Sequence, residues 1–274
     1  MNKKKMMILF SATTALTLAA CGGNNSSSST TSTEAGTAKT KYASEVTHEG
    51  TPIKGGTLKY AIVSSSPFSG IFADELSQVT TDSTIGGLID ESMFEYDENR
   101  KLTNTGLASI EFDVENKTAT VTLNSKEYKW SDGQPVTIDD YIFAYQAIGN
   151  KDYTGVRYDG DFKNVVGMEE YHSGKADSVS GLEKVDDYTV KIHFKEMSPS
   201  MQLAGGSVSA YIMPKHIFKD IPEAEWEQSD YVRGTKFVGL GQFKIESIVA
   251  GESVTLVPNE HYYKGVAKVD KVVM

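Results

Sequence analysis

Lys129-Trp130-Ser131-Asp132-Gly133-Gln134-Pro135-Val136-Thr137-Ile138-Asp139-Asp140-Tyr141 is the stretch on which the reading of this chain turns. Its first residues end a strand. Ser131-Asp132-Gly133 has the composition of a tight turn, because serine and aspartate accept from nearby amides and glycine tolerates positive φ. Pro135 follows the turn and has no amide to donate to a ladder. Thr137 then stands where a helix N-cap belongs, with Asp140 three residues on as a weaker form of the capping box. From that cap Ile138, Tyr141, Ile142, Tyr145 and Ile148 recur at helical spacing, and Gly149 closes the run. Trp130, at the strand end, reads as a core anchor.

Outward from this unit the hydrophobic period changes to two, the mark of half-buried strands. Leu58, Tyr60 and Ile62 alternate after Gly55-Gly56. Phe112 and Val114, then Ala119, Val121 and Leu123, flank a turn at residues 115–118. Val190, Ile192 and Phe194 follow a turn at Asp186-Asp187. Phe243, Ile245 and Ile248 precede a turn at Ala250-Gly251, after which Val254, Leu256 and Val257 return. These read as hairpins. Further helices are expected over residues 78–93 and 222–230. The pattern is mixed α/β and rich in hairpins, not a doubly wound repeat.

The N-terminus is of another kind. Lys3, Lys4 and Lys5 precede a short apolar run over residues 6–18, and small residues lead to Cys21. That is the layout of a secretory signal, residues 1–20. The run is too short to span a bilayer comfortably. Leu18-Ala19-Ala20-Cys21 resembles the lipobox of bacterial lipoproteins, which implies cleavage before Cys21 and a diacylglyceryl thioether on its sulfur. Two acyl chains, at roughly 0.8 kcal/mol per buried methylene, anchor stably where one is marginal. Cys21 is the only cysteine, so no internal disulfide can form. Residues 21–54 are dominated by Gly, Asn, Ser and Thr and bury too little to offset their ordering entropy, which makes them a disordered tether. Its r.m.s. reach is roughly 30 Å.

Loss of residues 1–20 removes three lysines and no acid from a chain of 27 basic and 37 acidic residues, leaving a balance of −13. Such a surface disfavours nucleic acid and anionic membranes as electrostatic partners. Nor is there a constellation for catalysis. The chain has no Gly-x-Ser-x-Gly elbow, phosphate-binding glycine loop or His-Glu-x-x-His. The five histidines (His48, His172, His193, His216 and His261) show no metal-ligand spacing. Gly239-Leu240-Gly241 lacks the following glycine and precedes a strand, so it is a poor nucleotide motif. No enzymatic activity, metal or cofactor is expected.

Three stretches carry a resemblance. Trp130 to Tyr141, with its Trp-Ser-Asp-Gly and Thr-x-x-Asp elements, resembles a segment of the family five solute-binding proteins, the oligopeptide-binding components of bacterial ABC importers. Val165-Val166-Gly167-Met168-Glu169-Glu170-Tyr171-His172-Ser173-Gly174-Lys175 with Val185-Asp186-Asp187-Tyr188-Thr189-Val190 is similar to the family's return from its second subdomain. Residues 239–263 look like its Gly-x-Gly-Pro-[Tyr/Phe]-Lys hairpin ending in Asn-x-x-Tyr-[Tyr/Trp], with Gln242 where the family usually has proline. Together with the lipobox and Gly55-Gly56-Thr57-Leu58, the resemblance is closest to lipoproteins of Gram-positive bacteria.

The resemblance implies a mixed-sheet, periplasmic-binding-protein-like (type II) α/β lobe over residues 55–274. Subdomain I would take about residues 55–80 and 185–274, and a hairpin-rich subdomain II about residues 81–184. Family members have two lobes and roughly twice this length, so the second lobe is absent, which implies a truncated gene product or a fragment. The implied function is capture of extracellular oligopeptides and their delivery to permease and ATPase subunits, with Cys21 holding the chain on the outer face of the cell membrane. The resemblance points to Ser64, Ser65, Ser66 and Phe68 in the loop after the first strand, and to Tyr153, as ligand-binding residues. Read on their own, the serines equally fit a polar strand-to-helix loop, and Tyr153 a packing tyrosine. A non-peptide cargo and a non-transporting surface lipoprotein, in signalling or adhesion, remain alternatives.

Overall fold

The computed structural model describes residues 50–51, 53–204 and 208–274. The signal peptide, Cys21 and nearly all of the tether lie outside the described residues. Within the body, Thr51–Met274, the chain runs β1 (Thr57–Lys59), α1 (Thr80–Ile89), the two-residue strands β2 (Glu95–Tyr96) and β3 (Leu102–Thr103), β4 (Ala108–Asp113), β5 (Thr118–Leu123) and α2 (Ile138–Gly149). It continues with α3 (Gly160–Lys163), α4 (Met168–His172), β6 (Leu182–Lys184), β7 (Thr189–His193), α5 (Lys215–Phe218), α6 (Asp230–Arg233), β8 (Phe243–Val249), β9 (Ser253–Pro258) and β10 (Lys271–Val273). Two 3₁₀ segments, Pro199–Gln202 and Glu223–Gln228, lie in the connections.

The strands form two four-stranded sheets and one small hairpin, β2-β3. The first sheet, in the order β1-β10-β9-β8, is mixed, because β1 pairs parallel with β10 while the other neighbours are antiparallel. The second, β4-β5-β7-β6, is antiparallel throughout. Period-two patterning explains its register. Val121 pairs with Val190 and Ala119 with Ile192, all four of them buried. A one-residue slip would turn this apolar row to solvent, and each large apolar side chain so exposed costs roughly 1.5–3 kcal/mol.

Helix α2 lies between the two cores. Its large residues Tyr141, Tyr145 and Ile148 belong to the core of the second sheet. Its alanines, Ala144 and Ala147, belong to the core of the first. The expected cap is present, since the Thr137 amide donates to the Asp140 carboxylate at 2.9 Å. The same carboxylate accepts from the Lys215 amide at 3.0 Å and from Trp130 Nε1 at 3.4 Å. Trp130 is fully buried, so the anchor reading holds, and Asp140 ties the turn, α2 and the start of α5 together. Gly149 is the last residue of the helix, and it lets α4 approach closely, since a Cβ there would lie 2.4 Å from the Met168 sulfur.

The second sheet runs on past residue 184, since β6 and β7 pair across the turn at 185–188. Helix α1 packs on the first sheet, with Ile85 and Ile89 in one core with Phe243 and Leu256. The first strand is short and exposed: Leu58 and Tyr60 keep 53% and 55% of their surface. The helix expected over 78–93 stops at Ile89, where residues 239–241 dock on its end. The Gly241 amide donates to the Ile89 carbonyl at 3.1 Å, and the Leu240 amide to Asp90 Oδ1 at 3.0 Å. A Cβ on Gly239 or Gly241 would come within 2.2 or 2.3 Å of the Ile89 carbonyl group, so both glycines serve close approach rather than a nucleotide.

Candidate functional site

Residues 60–79 join β1 to α1 and carry most of the sequence-predicted site. The stretch is exposed through Pro67 and then turns inward, with the Phe68 ring 6.1 Å from that of buried Phe72. Asp82, fully buried in the first turn of α1, holds this bend by accepting from the Ser69 amide at 2.8 Å and the Gly70 amide at 3.2 Å. An acid here also suits the positive end of the helix. Ser64 Oγ accepts from Thr81 Oγ1 at 3.0 Å and from the Ser66 amide at 3.3 Å. Ser65 and Ser66 are exposed. Phe68 is half-buried against the first core.

Tyr153 lies outside this segment, after α2, and reaches it at Glu75. It is half-buried between the two cores. Its hydroxyl donates to the Glu75 carbonyl and accepts from the Arg157 amide at 3.4 Å. Burial pushes the phenol well above its ordinary pKa, against the Arg157 amide bond that lowers it. It therefore stays a neutral donor. Thus Ser64 and Tyr153 grip the same connection at separate places, one at the helix start and one at the turn before it, and each hydroxyl is already engaged.

Around Tyr153 lies a polar group that sequence reasoning missed. The Arg157 guanidinium donates to the carbonyls of Asp74, at 3.0 and 3.3 Å, and Ser77, at 3.1 Å. It also pairs with the Asp74 carboxylate at 3.6 Å and lies 5.6 Å from the centre of the Tyr211 ring. Next to it opens a recess of about 370 Å³, lined by Asp74, Glu75, Gly86, Asp90 and Tyr211 among others. Burial first, and then the nearby Asp90 charge, hold the Glu75 carboxyl well above the usual carboxylate range. Burial likewise raises Asp90, against the amide bonds from Leu240 and Glu91. The sequence signal was weak: two acids, Asp74 and Glu75, interrupting the apolar run Ile71-Phe72-Ala73 and Leu76.

The described residues contain no group of three or more His, Cys, Asp or Glu arranged to hold a metal ion. Three of the histidines have other partners: His172 Nδ1 lies 2.9 Å from the Gly149 carbonyl, His193 pairs with Glu183 at 2.9 Å, and His216 with Asp132 at 2.8 Å. No helix among the described residues is long and apolar enough to cross a membrane.

Comparison with known proteins places the fold. A family profile described as bacterial extracellular solute-binding proteins, family 5 Middle, matches residues 104–274. The oligopeptide-binding protein OppA of Lactococcus lactis subsp. cremoris strain SK11 is 37% identical over 215 residues, which cover 76% of this chain and 36% of that protein. A structure of lactococcal OppA complexed with an endogenous peptide in the closed conformation superposes with a TM-score of 0.75 at 36% identity, over 80% of this chain and 41% of that one. The oligopeptide-binding protein AppA of Bacillus subtilis, in complex with a nonapeptide, gives 0.65 at 26% identity, over 81% and 40%. The fold is therefore a mixed-sheet, type II periplasmic-binding-protein-like lobe, and the chain spans about two fifths of the length of these relatives. On the match over residues 104–274, which is more than half of the sequence, the chain belongs to the bacterial extracellular solute-binding proteins of family 5.

Proposed function

We propose that this chain takes part in capturing extracellular oligopeptides and passing them to the permease and ATPase subunits of an ABC importer, held on the outer face of the cell membrane by lipid on Cys21. The observation that carries the reading is the likeness to lactococcal OppA, a protein solved with a peptide bound, at 36% identity over 80% of this chain. Binding would rest on main-chain hydrogen bonds to an extended peptide and on roomy side-chain pockets, which tolerates varied sequence. Closure about a hinge would then bury the cargo. On this lobe the reading gives ligand contact to the exposed Ser65 and Ser66, to Ser64 beside Thr81, to Phe68, and to the ring of Tyr153, whose hydroxyl is committed to Glu75.

Calorimetry of the purified chain with mixed peptides, run beside a full-length relative, tests the capture step. Heat from the relative and none from this chain would end that reading. The anchor is tested separately. Cys21→Ala should abolish incorporation of labelled palmitate and release the protein into the medium; retention of label would refute the anchor.

A further inference from the structure

The recess between α1 and residues 210–212 has a lining that the fold does not explain. Four acids open onto it, Asp74, Glu75, Asp90 and Glu91, and no Lys, Arg or His does. Glu75 is the deepest of them, with 4% of its surface exposed. Its carboxylate accepts from its own backbone amide, and among the described residues no other group donates to it. The Arg157 charge favours the ionised form of Glu75, but burial and the Asp90 and Asp74 charges outweigh it, and the guanidinium itself is taken up by the Asp74 and Ser77 carbonyls and the Asp74 carboxylate.

A carboxylate buried without a counter-ion is costly, and native proteins pair such groups or neutralise them. Here the acid faces an open, water-accessible space, so a counter-ion can arrive from outside. A divalent metal does not suit the site, since the described residues offer no metal-holding group of three or more ligands. The lining instead combines acids with an apolar wall of Ala210, Tyr211 and Ile212. That combination suits an aliphatic stem ending in a cationic head. At about 370 Å³, the recess is sized for a side chain or terminal residue, not a whole oligopeptide.

We propose that this recess receives a primary ammonium group of the cargo peptide, from a lysyl side chain or the amino terminus, with the Glu75 carboxylate as its counter-ion and Asp90 completing the negative site. The assignment rests on the peptide-capture reading for the identity of the cargo. Its electrostatics do not. Burial and the Asp90 charge hold the Glu75 carboxyl well above the usual carboxylate range. An ammonium group arriving beside it favours the ionised carboxylate.

The test uses the whole chain and two kinds of probe. In calorimetry, a hexapeptide with one central lysine is compared with its norleucine counterpart and with its N-acetylated form. Removing the ammonium that occupies the recess should weaken binding about tenfold or more, and the member of the pair that loses affinity identifies the source. Glu75→Gln should shrink that difference to less than about twofold. If the Gln variant is misfolded by circular dichroism, Asp90→Asn serves the same purpose. The second probe, n-butylammonium, should raise the melting temperature of the wild-type chain and not of the variant.

Peptides that bind equally well with and without their ammonium groups, together with no effect of butylammonium, would overturn the recess assignment and leave peptide capture standing. Stabilisation by butylammonium without binding of any peptide would uphold the cation site and overturn the capture reading. Silence from both probes would overturn both.

Discussion

Gly241 shows how a residue's role comes from what lies opposite it. A Cβ there would lie 2.3 Å from the Ile89 carbonyl carbon and 2.4 Å from the Asp90 amide nitrogen, both rigid backbone. Gly241→Ala should therefore force the strand start off α1 and destabilise the protein by about 2–3 kcal/mol, read as a lower midpoint in urea unfolding. Glu223 makes an opposite case. Its Oε1 accepts from Asn150 Nδ2 at 2.9 Å, while its Oε2 is buried with no partner. Burial pushes its pKa from 4.5 to about 7, against the Asn150 hydrogen bond that lowers it. Between those two values the folded chain keeps a proton that the unfolded chain has released, so stability falls as pH rises through that window and is level above it. Glu223→Gln should raise stability by about 1–2 kcal/mol at pH 8, after allowance for partial exposure, and leave it nearly unchanged at pH 4. Thermal melts at the two pH values check this.

At the scale of elements, α2 carries the architecture because its start is cross-braced. Removing the Asp140 carboxylate would strand the Thr137 amide, the Lys215 amide and Trp130 Nε1 together. Asp140→Ala should cost about 2–4 kcal/mol, measured by urea unfolding, and should increase hydrogen exchange at Thr137 and Lys215 before the rest of the fold. The helix and its cap were legible in the sequence because both signals are local: a capping residue and a 3.6-residue period. The hairpins at 115–118 and 250–251 were legible for the same reason, strict alternation on either side of a turn. The docking of residues 239–241 on α1 was not, since it joins segments some 150 positions apart and two glycines carry no hydrophobic pattern.

For the whole molecule, family membership was readable from three motifs, whereas the sheet that each strand and helix joins was not. Local turns predict which strands pair in hairpins. They do not say that β6 and β7 stay with β4 and β5, or that α1 packs under the other sheet. The acids of the recess were invisible for a related reason: Glu75 and Asp90 meet only through the tertiary fold. The parallel pairing of β1 with β10 extends this. The Gly56 amide reaches the Asp270 carboxylate across 214 positions of sequence, and Thr57 pairs with Lys271. The second sheet, by contrast, is complete within residues 108–193. Long loops close slowly, so an emerging chain can assemble the second sheet while β1 waits for its partner. Pulse proteolysis of chains stalled before and after residue 271 should show early protection over 108–193 and late protection around 57–59. On the proposed route to the outer face of the membrane, a sheet that cannot close until the last of these strands has passed would act as a built-in delay, keeping the leading end threadable for as long as threading lasts.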